Sequence, residues 1–294
     1  MFAPLVGSSS ARQRKVFAES LLDASGSAGT APDDDIAGYA LTLDEASRAT
    51  PFILPSLFLD SLGPLPSSKP RLVLSAAGPH DILRLIRDVG LDLFVDEWSP
   101  RCATLGLGLD FAFPVPTPSD PPLPLGSAKL DIGHSFFDYA FAEAFVPLSS
   151  SPLAVPRPPR HSTAPFDEPY SPFGPSPPTR GYVHHLLKSH EMTAHVILAL
   201  HNAIVMDAFF ASIRRLLDAG GEAFAREVAK FFEVYEEGTP FSGGEYECVR
   251  SAEKELEVVQ GVRGKRSVKA KAEAEAVAEA LERRAEEEGE SVLG

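Results

Sequence analysis

Residues Thr179 to Asn202 carry five of the chain's eight histidines and its only asparagine. Both residue types can ligate a metal, and histidine also moves protons near neutral pH. The five are His184, His185, His190, His195 and His201, and their spacing narrows the chemistry. No two stand three or four residues apart, so one helix cannot offer a histidine pair to a single metal ion. On a wheel of about 100° per residue, His201 shares a face with Val183, Leu187, Ala194, Ile197 and Leu198 and points into a core. His190 falls on the same face, about 16 Å away along a continuous helix. A satisfied core histidine and a metal ligand both remain open for His201. His184 and His185, neighbours on different faces, read as capping or interface residues near a helix start.

The elements that must hold this segment alternate in type. Strand-like runs end at Leu5 to Gly7 and recur at Ala37 to Leu43, Arg71 to Ser75 and Leu91 to Val95. Helical periodicity fills Ala11 to Leu22, Phe52 to Leu62 and Pro79 to Val89, the last opened by proline in its first turn. Alternation at this spacing predicts βαβ units, right-handed crossovers and a parallel sheet. Leu105 to Phe113 and Lys129 to Phe137 then read as an antiparallel extended pair around a Pro-rich loop. Residues 147–178 hold eleven prolines and little apolar periodicity, which predicts a stiff, extended linker. Helices are expected at Arg180 to His201, Val205 to Leu217 and Glu222 to Glu236. From Gly264 onward the Ala/Glu/Lys/Arg-rich tail reads as a solvated, fraying helix or as disordered chain.

Bulk properties bound the function. The chain has 294 residues, 44% of them hydrophobic, and a formal net charge of −14, which argues against wrapping nucleic acid by its own field. No run in the sequence reads as a membrane span. Two cysteines, Cys102 and Cys248, cannot build a disulfide framework and fit a reducing compartment. Phe2-Ala-Pro-Leu-Val6 reads as a core strand starting at the first residues, which predicts that an upstream part of the fold is missing.

The motif order resembles one family. Arg180-Gly-Tyr182-Val-His184-His185-Leu186, Glu191 and His201-Asn202 resemble the C-terminal signature of the tRNA-guanine transglycosylases. Lys69-Pro-Arg-Leu-Val-Leu-Ser-Ala-Ala-Gly-Pro-His-Asp-Ile-Leu83, Gly90-Leu-Asp-Leu-Phe94 and Phe145-Val-Pro-Leu148 are similar to three further family motifs. The resemblance covers roughly residues 2 to 237. It implies an α/β fold, the second half of a (β/α)8 TIM-type barrel with about four βα units, followed by a helical subdomain. The expected organisation is residues 1–113 as half-barrel units, 114–146 as the antiparallel extended pair and 147–178 as the Pro-rich linker. Residues 179–237 form the helical, formerly zinc-binding subdomain, and 238–294 a charged tail.

The family exchanges an anticodon guanine for queuine or a precursor through an aspartate nucleophile and an aspartate base. The nucleophile position falls on Val95, which cannot attack ribose. Asp96 is adjacent, but successive strand residues project to opposite faces. The family's base-recognition glutamine falls near Val6, and its Gly-Gly pair reads Thr42-Leu43. The resemblance implies a zinc ion with His201 as its histidine ligand. Counting back to the family's cysteines reaches Tyr170, Pro172 and Pro175, so the zinc is expected to be lost. The resemblance therefore implies the accessory, non-catalytic kind of subunit. Its partner is the catalytic queuine tRNA-ribosyltransferase subunit, and it meets tRNA through that complex. Tyr182 and His185 are the expected subunit contacts. It also implies a cytoplasmic location, with association at the mitochondrial outer membrane known for such subunits. Two other readings stay open, a shortened product without independent activity and a transglycosylase using Asp96.

Overall fold

The computed structural model describes residues 1–7, 10–23, 36–42, 54–74, 78–116, 129–148 and 177–237, together with 254, 256–258 and 261. The first half alternates as its sequence periods require. Strands β1 (Phe2–Leu5), β2 (Gly38–Leu41), β3 (Arg71–Val73) and β4 (Leu93–Phe94) form one parallel sheet in sequence order. Helices α1 (Ala11–Asp23), α2 (Leu54–Leu62) and α3 (Pro79–Val89) connect them. The bounds of α3 follow from its sequence. Pro79 sits in the first turn, and Gly90 at φ 73° closes the helix by donating its N–H to the Ile86 carbonyl.

Register sorts the sheet's side chains into two faces. Leu5, Leu41, Val73 and Phe94 lie in line, and the first three are buried beneath the helices. Pro4, Ala40, Leu72 and Leu93 form the alternate row, which points to the other face. The next residues on that face are Val6, Thr42, Leu74 and Val95, all exposed. A parallel sheet ordinarily has both faces covered. Among the described residues the second face is covered unevenly: Ala40 is buried and Leu72 half-buried, while Pro4 and Leu93 at the outer strands are exposed.

The second half packs against the end of the sheet. It comprises α4 (Trp98–Thr104), β5 (Leu107–Leu109), β6 (Gly133–Ser135), α5 (Arg180–Lys188), α6 (Met192–Asp218) and α7 (Gly221–Val234). β5 and β6 pair antiparallel, as expected, and do so across the expected boundary at residues 113 and 114. Cys102 is buried within α4. Apolar residues from both halves, including Phe58, Leu83, Phe111, Phe209 and Phe231, share one core. A second cluster joins Phe136, Phe137 and Leu148 to Val183, Leu187, Ala194 and Leu198.

Three expectations need correction. The continuous helix Arg180 to His201 is two helices, ended by a Schellman motif. His190 takes φ 62°, while its N–H reaches Leu187 O at 3.1 Å and the Glu191 N–H reaches Leu186 O at 2.9 Å. His190 is therefore exposed rather than on the core face. Val205 to Leu217 is not a separate helix but the continuation of α6. α6 is also long and apolar enough, by length and composition, to cross a membrane, contrary to the reading of the sequence; its Leu198, Val205, Phe209 and Ile213 are buried in the cores described above.

The ends of the Pro-rich segment meet. Leu148 N donates to Pro178 O at 2.9 Å, and Pro147 bridges Thr179. Most of that segment (149–176) lies outside the described residues, and so does the expected solvated tail from Gly264. Within residues 238–294, Leu256 packs against both clusters.

Candidate functional site

The histidine-rich segment builds a seam between α6 and β5. Asn202 is fully buried and uses its whole amide on backbone. Its Oδ1 accepts from Leu109 N at 2.9 Å, and its Nδ2 donates to Leu107 O at 3.1 Å and Ser99 O at 3.2 Å. His201, also buried, places Nε2 2.7 Å from Leu109 O. A carbonyl oxygen only accepts, so Nε2 carries the hydrogen and donates. Burial lowers the pKa of His201, and the bond to Leu109 opposes this in part. β5 thus has β6 along one edge and two side chains serving as a substitute strand along the other. Gly108 permits the close fit, because a Cβ there would stand 2.5 Å from the Phe136 ring.

Two more histidines of the segment behave alike. His184 Nδ1 lies 2.9 Å from Phe136 O, and His195 Nδ1 lies 3.0 Å from Ala103 O. Each secures a helix to backbone around the β5–β6 pair. The core reading of His201 therefore rests on a specific partner. For a metal, the seam is poorly furnished: His201 Nε2 is spent on Leu109, and Tyr170, Pro172 and Pro175, which lie outside the described residues, bear no thiolate.

α5 is fixed at its start. Thr179 caps it by accepting from Tyr182 N at 3.2 Å. Arg180 reaches Asp110 Oδ2 at 2.6 Å, and His134 Nε2 stands 3.3 Å from the same oxygen. Gly181 and Arg180 donate to the carbonyls of Ala144 and Val146 at 2.8 and 3.0 Å. These bonds leave a continuous outer surface. Tyr182 is 49% exposed, His185 is exposed one turn later on the same helix side, and Phe145 and Val146 stand out beside them. Lys188 Nζ lies 4.5 Å from the centre of the Tyr139 ring, extending the surface. Sequence reading named Tyr182 and His185 as contacts and Phe145-Val146 only as part of a motif, and it missed Asp110, which the fold brings alongside.

Val95 follows β4, its N–H donating to Val73 O at 3.0 Å, with its side chain on the open sheet face. Asp96 does not substitute for a free carboxylate there. Its Oδ1 accepts from Ser99 N at 3.0 Å and its Oδ2 from Ser99 Oγ, so it caps the start of α4. A different pair of titratable groups escaped the sequence reading. At the start of α3, burial lowers the pKa of His80 to about 4 and raises that of Asp81 to about 8. Arg84 joins Asp81 to Glu237 beyond α7, so this cluster ties the two halves together.

Comparison with known proteins assigns this arrangement a lineage. An accessory subunit 2 of queuine tRNA-ribosyltransferase from Schizosaccharomyces pombe is 31% identical over 212 residues, covering 71% of this chain and 42% of that protein. The accessory subunit 2 of Drosophila persimilis is 29% identical over 184 residues, covering 63% of this chain and 36% of the relative. A queuine tRNA-ribosyltransferase from Thermotoga neapolitana is 25% identical over 174 residues, covering 59% and 36%. The chain thus spans less than half the length of these relatives. The queuine tRNA-ribosyltransferase family matches residues 1–237, from β1 to the end of the α7 segment, and the chain belongs to that family.

Proposed function

We propose that this chain is a non-catalytic accessory subunit that supports a catalytic queuine tRNA-ribosyltransferase in exchanging guanine for queuine at the tRNA wobble position. The observation that carries the reading is Val95, an inert side chain at the place where the family's nucleophile belongs, in a chain similar to proteins named accessory subunits. Asp96, engaged by Ser99, supports the same reading. The four parallel strands are then half of a TIM-type barrel. The surface carrying Tyr182, His185, Phe145 and Val146 is the contact with the catalytic partner: aromatic and apolar groups held on a rigid, capped helix suit an interface core. tRNA is met through the assembled complex, which accommodates the chain's net charge of −14. The reading includes no zinc, because His201 Nε2 is committed to a carbonyl and the cysteine positions hold tyrosine and proline. It places the protein in the cytoplasm, with the mitochondrial outer surface as a docking location.

Co-purification with a catalytic subunit tests the proposal. The unmodified chain is expected to be retained, and Tyr182→Ala/His185→Ala is expected to lose retention while keeping its helix content. Guanine exchange by the isolated chain, abolished by Asp96→Asn, would overturn it.

A further inference from the structure

The residues around the start of α5 form one connected support. Asn202 and His201 hold the N–H and the carbonyl of Leu109 at the end of β5, and Asp110 is the next residue. Its carboxylate accepts from the Arg180 guanidinium at 2.6 Å, with His134 Nε2 3.3 Å from the same oxygen. The side chains of Arg180 and Asp110 are 13% and 12% exposed, so the pair lies beneath the outer surface. Arg180 also holds residues 144–147. Its backbone N–H donates to Val146 O at 3.0 Å, its Nε donates to Pro147 O at 3.4 Å, and its guanidinium carbon lies 5.9 Å from the centre of the Phe141 ring. Gly181 completes the contact. Its N–H donates to Ala144 O at 2.8 Å, and a Cβ there would stand 3.2 Å from the carbonyl oxygens of Phe141 and Ala144 and 3.3 Å from that of Ala142. Phe145, 82% exposed, and Val146, 55% exposed, project from the backbone held in this way.

Large apolar side chains on an irregular segment are ordinarily free to move, and ordering them on binding costs affinity. Here the order is in place beforehand. We infer that Asp110 and Arg180 are positioning residues for subunit recognition: their ion pair fixes residues 144–147 against the start of α5, so that Phe145 and Val146 meet the partner in the same rigid surface as Tyr182 and His185. The inference rests on the proposed contact with the catalytic subunit and assigns control of that contact to residues beneath it. Arginine suits the task, because its planar fork serves the Asp110 carboxylate and the Pro147 carbonyl at once, which a lysine ammonium does not. The two ends of the histidine-rich segment then share one role. His201 and Asn202 fix Leu109, Arg180 engages the adjoining Asp110, and the rigidity of the α6–β5 seam reaches the outer surface. Without the pair, only a fraction of molecules hold Phe145 and Val146 in the competent position, and affinity falls by that fraction.

Calorimetric titration of the full chain with a catalytic queuine tRNA-ribosyltransferase subunit tests the inference, with the helix content of each variant checked by circular dichroism. Asp110→Asn keeps the shape of the side chain, removes its charge and is expected to raise Kd about tenfold. Gly181→Ala leaves the ion pair in place and favours the helix, but crowds three carbonyls of the held segment. It is expected to raise Kd about threefold with helix content kept. A double-mutant cycle decides between positioning and general support. In Phe145→Ala/Val146→Ala, adding Asp110→Asn is expected to raise Kd less than about twofold, since nothing remains to be positioned. Equal losses in both backgrounds overturn the inference. So does an unchanged Kd in Asp110→Asn where Tyr182→Ala/His185→Ala loses binding, a result that leaves the proposed contact standing. Full affinity in Tyr182→Ala/His185→Ala overturns the contact and the inference together.

Discussion

The α6–β5 seam and the outer edges of the four-stranded sheet belong to one small fold and satisfy their backbone in opposite ways. β5 has one strand neighbour, and its other edge is completed from within by Asn202 and His201. β1 and β4 also have one strand neighbour each, and among the described residues no second strand takes their outer edges. The difference lies in where the missing partner comes from. At the seam, two side chains from a buried helix stand in for a strand. At the sheet, no described side chain plays that part along the outer edges of β1 and β4. The edge of β5 is therefore completed among the described residues, whereas the outer edges of β1 and β4 are not.

Asn202→Leu is the most severe way to break that contrast. It removes three bonds and leaves Leu109 N, Leu107 O and Ser99 O buried without their partner. Each orphaned group costs about 1–3 kcal/mol, so a loss of several kcal/mol is expected in urea denaturation. His201→Ala comes next, at about 2 kcal/mol, with His201→Gln recovering part of it because an amide can still donate to Leu109. A loss under about 0.5 kcal/mol in either case would mean that β5 is held by packing alone.

The pH dependence of stability sharpens the comparison through the second buried cluster. Asp81 has a folded pKa raised from 3.8 to about 8, so its contribution favours the fold at low pH and is lost as pH rises toward 8. His80, lowered from 6.5 to about 4, acts in the other direction: its contribution is present above pH 6.5 and lost as pH falls toward 4. His201, also lowered by burial, has the same sign as His80. Between pH 6.5 and 8 the histidines are neutral in both states and Asp81 acts alone. Stability is expected to fall there by up to about 1 kcal/mol per pH unit, and Asp81→Asn is expected to flatten the profile. A slope that persists in Asp81→Asn would assign the effect elsewhere. A flat profile in the unmodified chain would mean that Arg84 and the α3 N-terminus hold the carboxylate ionised.

Much of this was legible in the residues, for identifiable reasons. Pro79 and Gly90 bracket α3 because each has a local backbone requirement that needs no tertiary context. The wheel placed His201 with Leu187, Ala194 and Leu198, all of them buried, and failed only at His190, where the helix breaks. The break itself was hidden. A left-handed histidine carries no sequence mark comparable to glycine, and the two bonds that stabilise it come from backbone. α4 was hidden because seven residues are too few to show a period. The Asp110–Arg180 pair and the meeting of Leu148 with Pro178 join positions remote in sequence, which no local pattern encodes. Proline content predicted stiffness in residues 147–178 but said nothing of where the two ends would lie.

The smallest expected effect lies on α6 itself, opposite the seam. Met192, Val196 and Leu200 recur every four residues and are 81%, 64% and 38% exposed, while Leu198, His201 and Asn202 on the inner side are buried. Hydropathy alone cannot separate these sides, which is why the whole helix passes a compositional test for a membrane span. Burial separates them sharply. Val196→Lys should change stability by less than about 0.5 kcal/mol, since it removes no buried contact and orphans no polar group. Its neighbour one turn and a half along, Asn202, should cost several times more on the same helix. A loss above about 2 kcal/mol for Val196→Lys, read in the same denaturation experiment, would reveal a further chain or segment covering the outer side of α6.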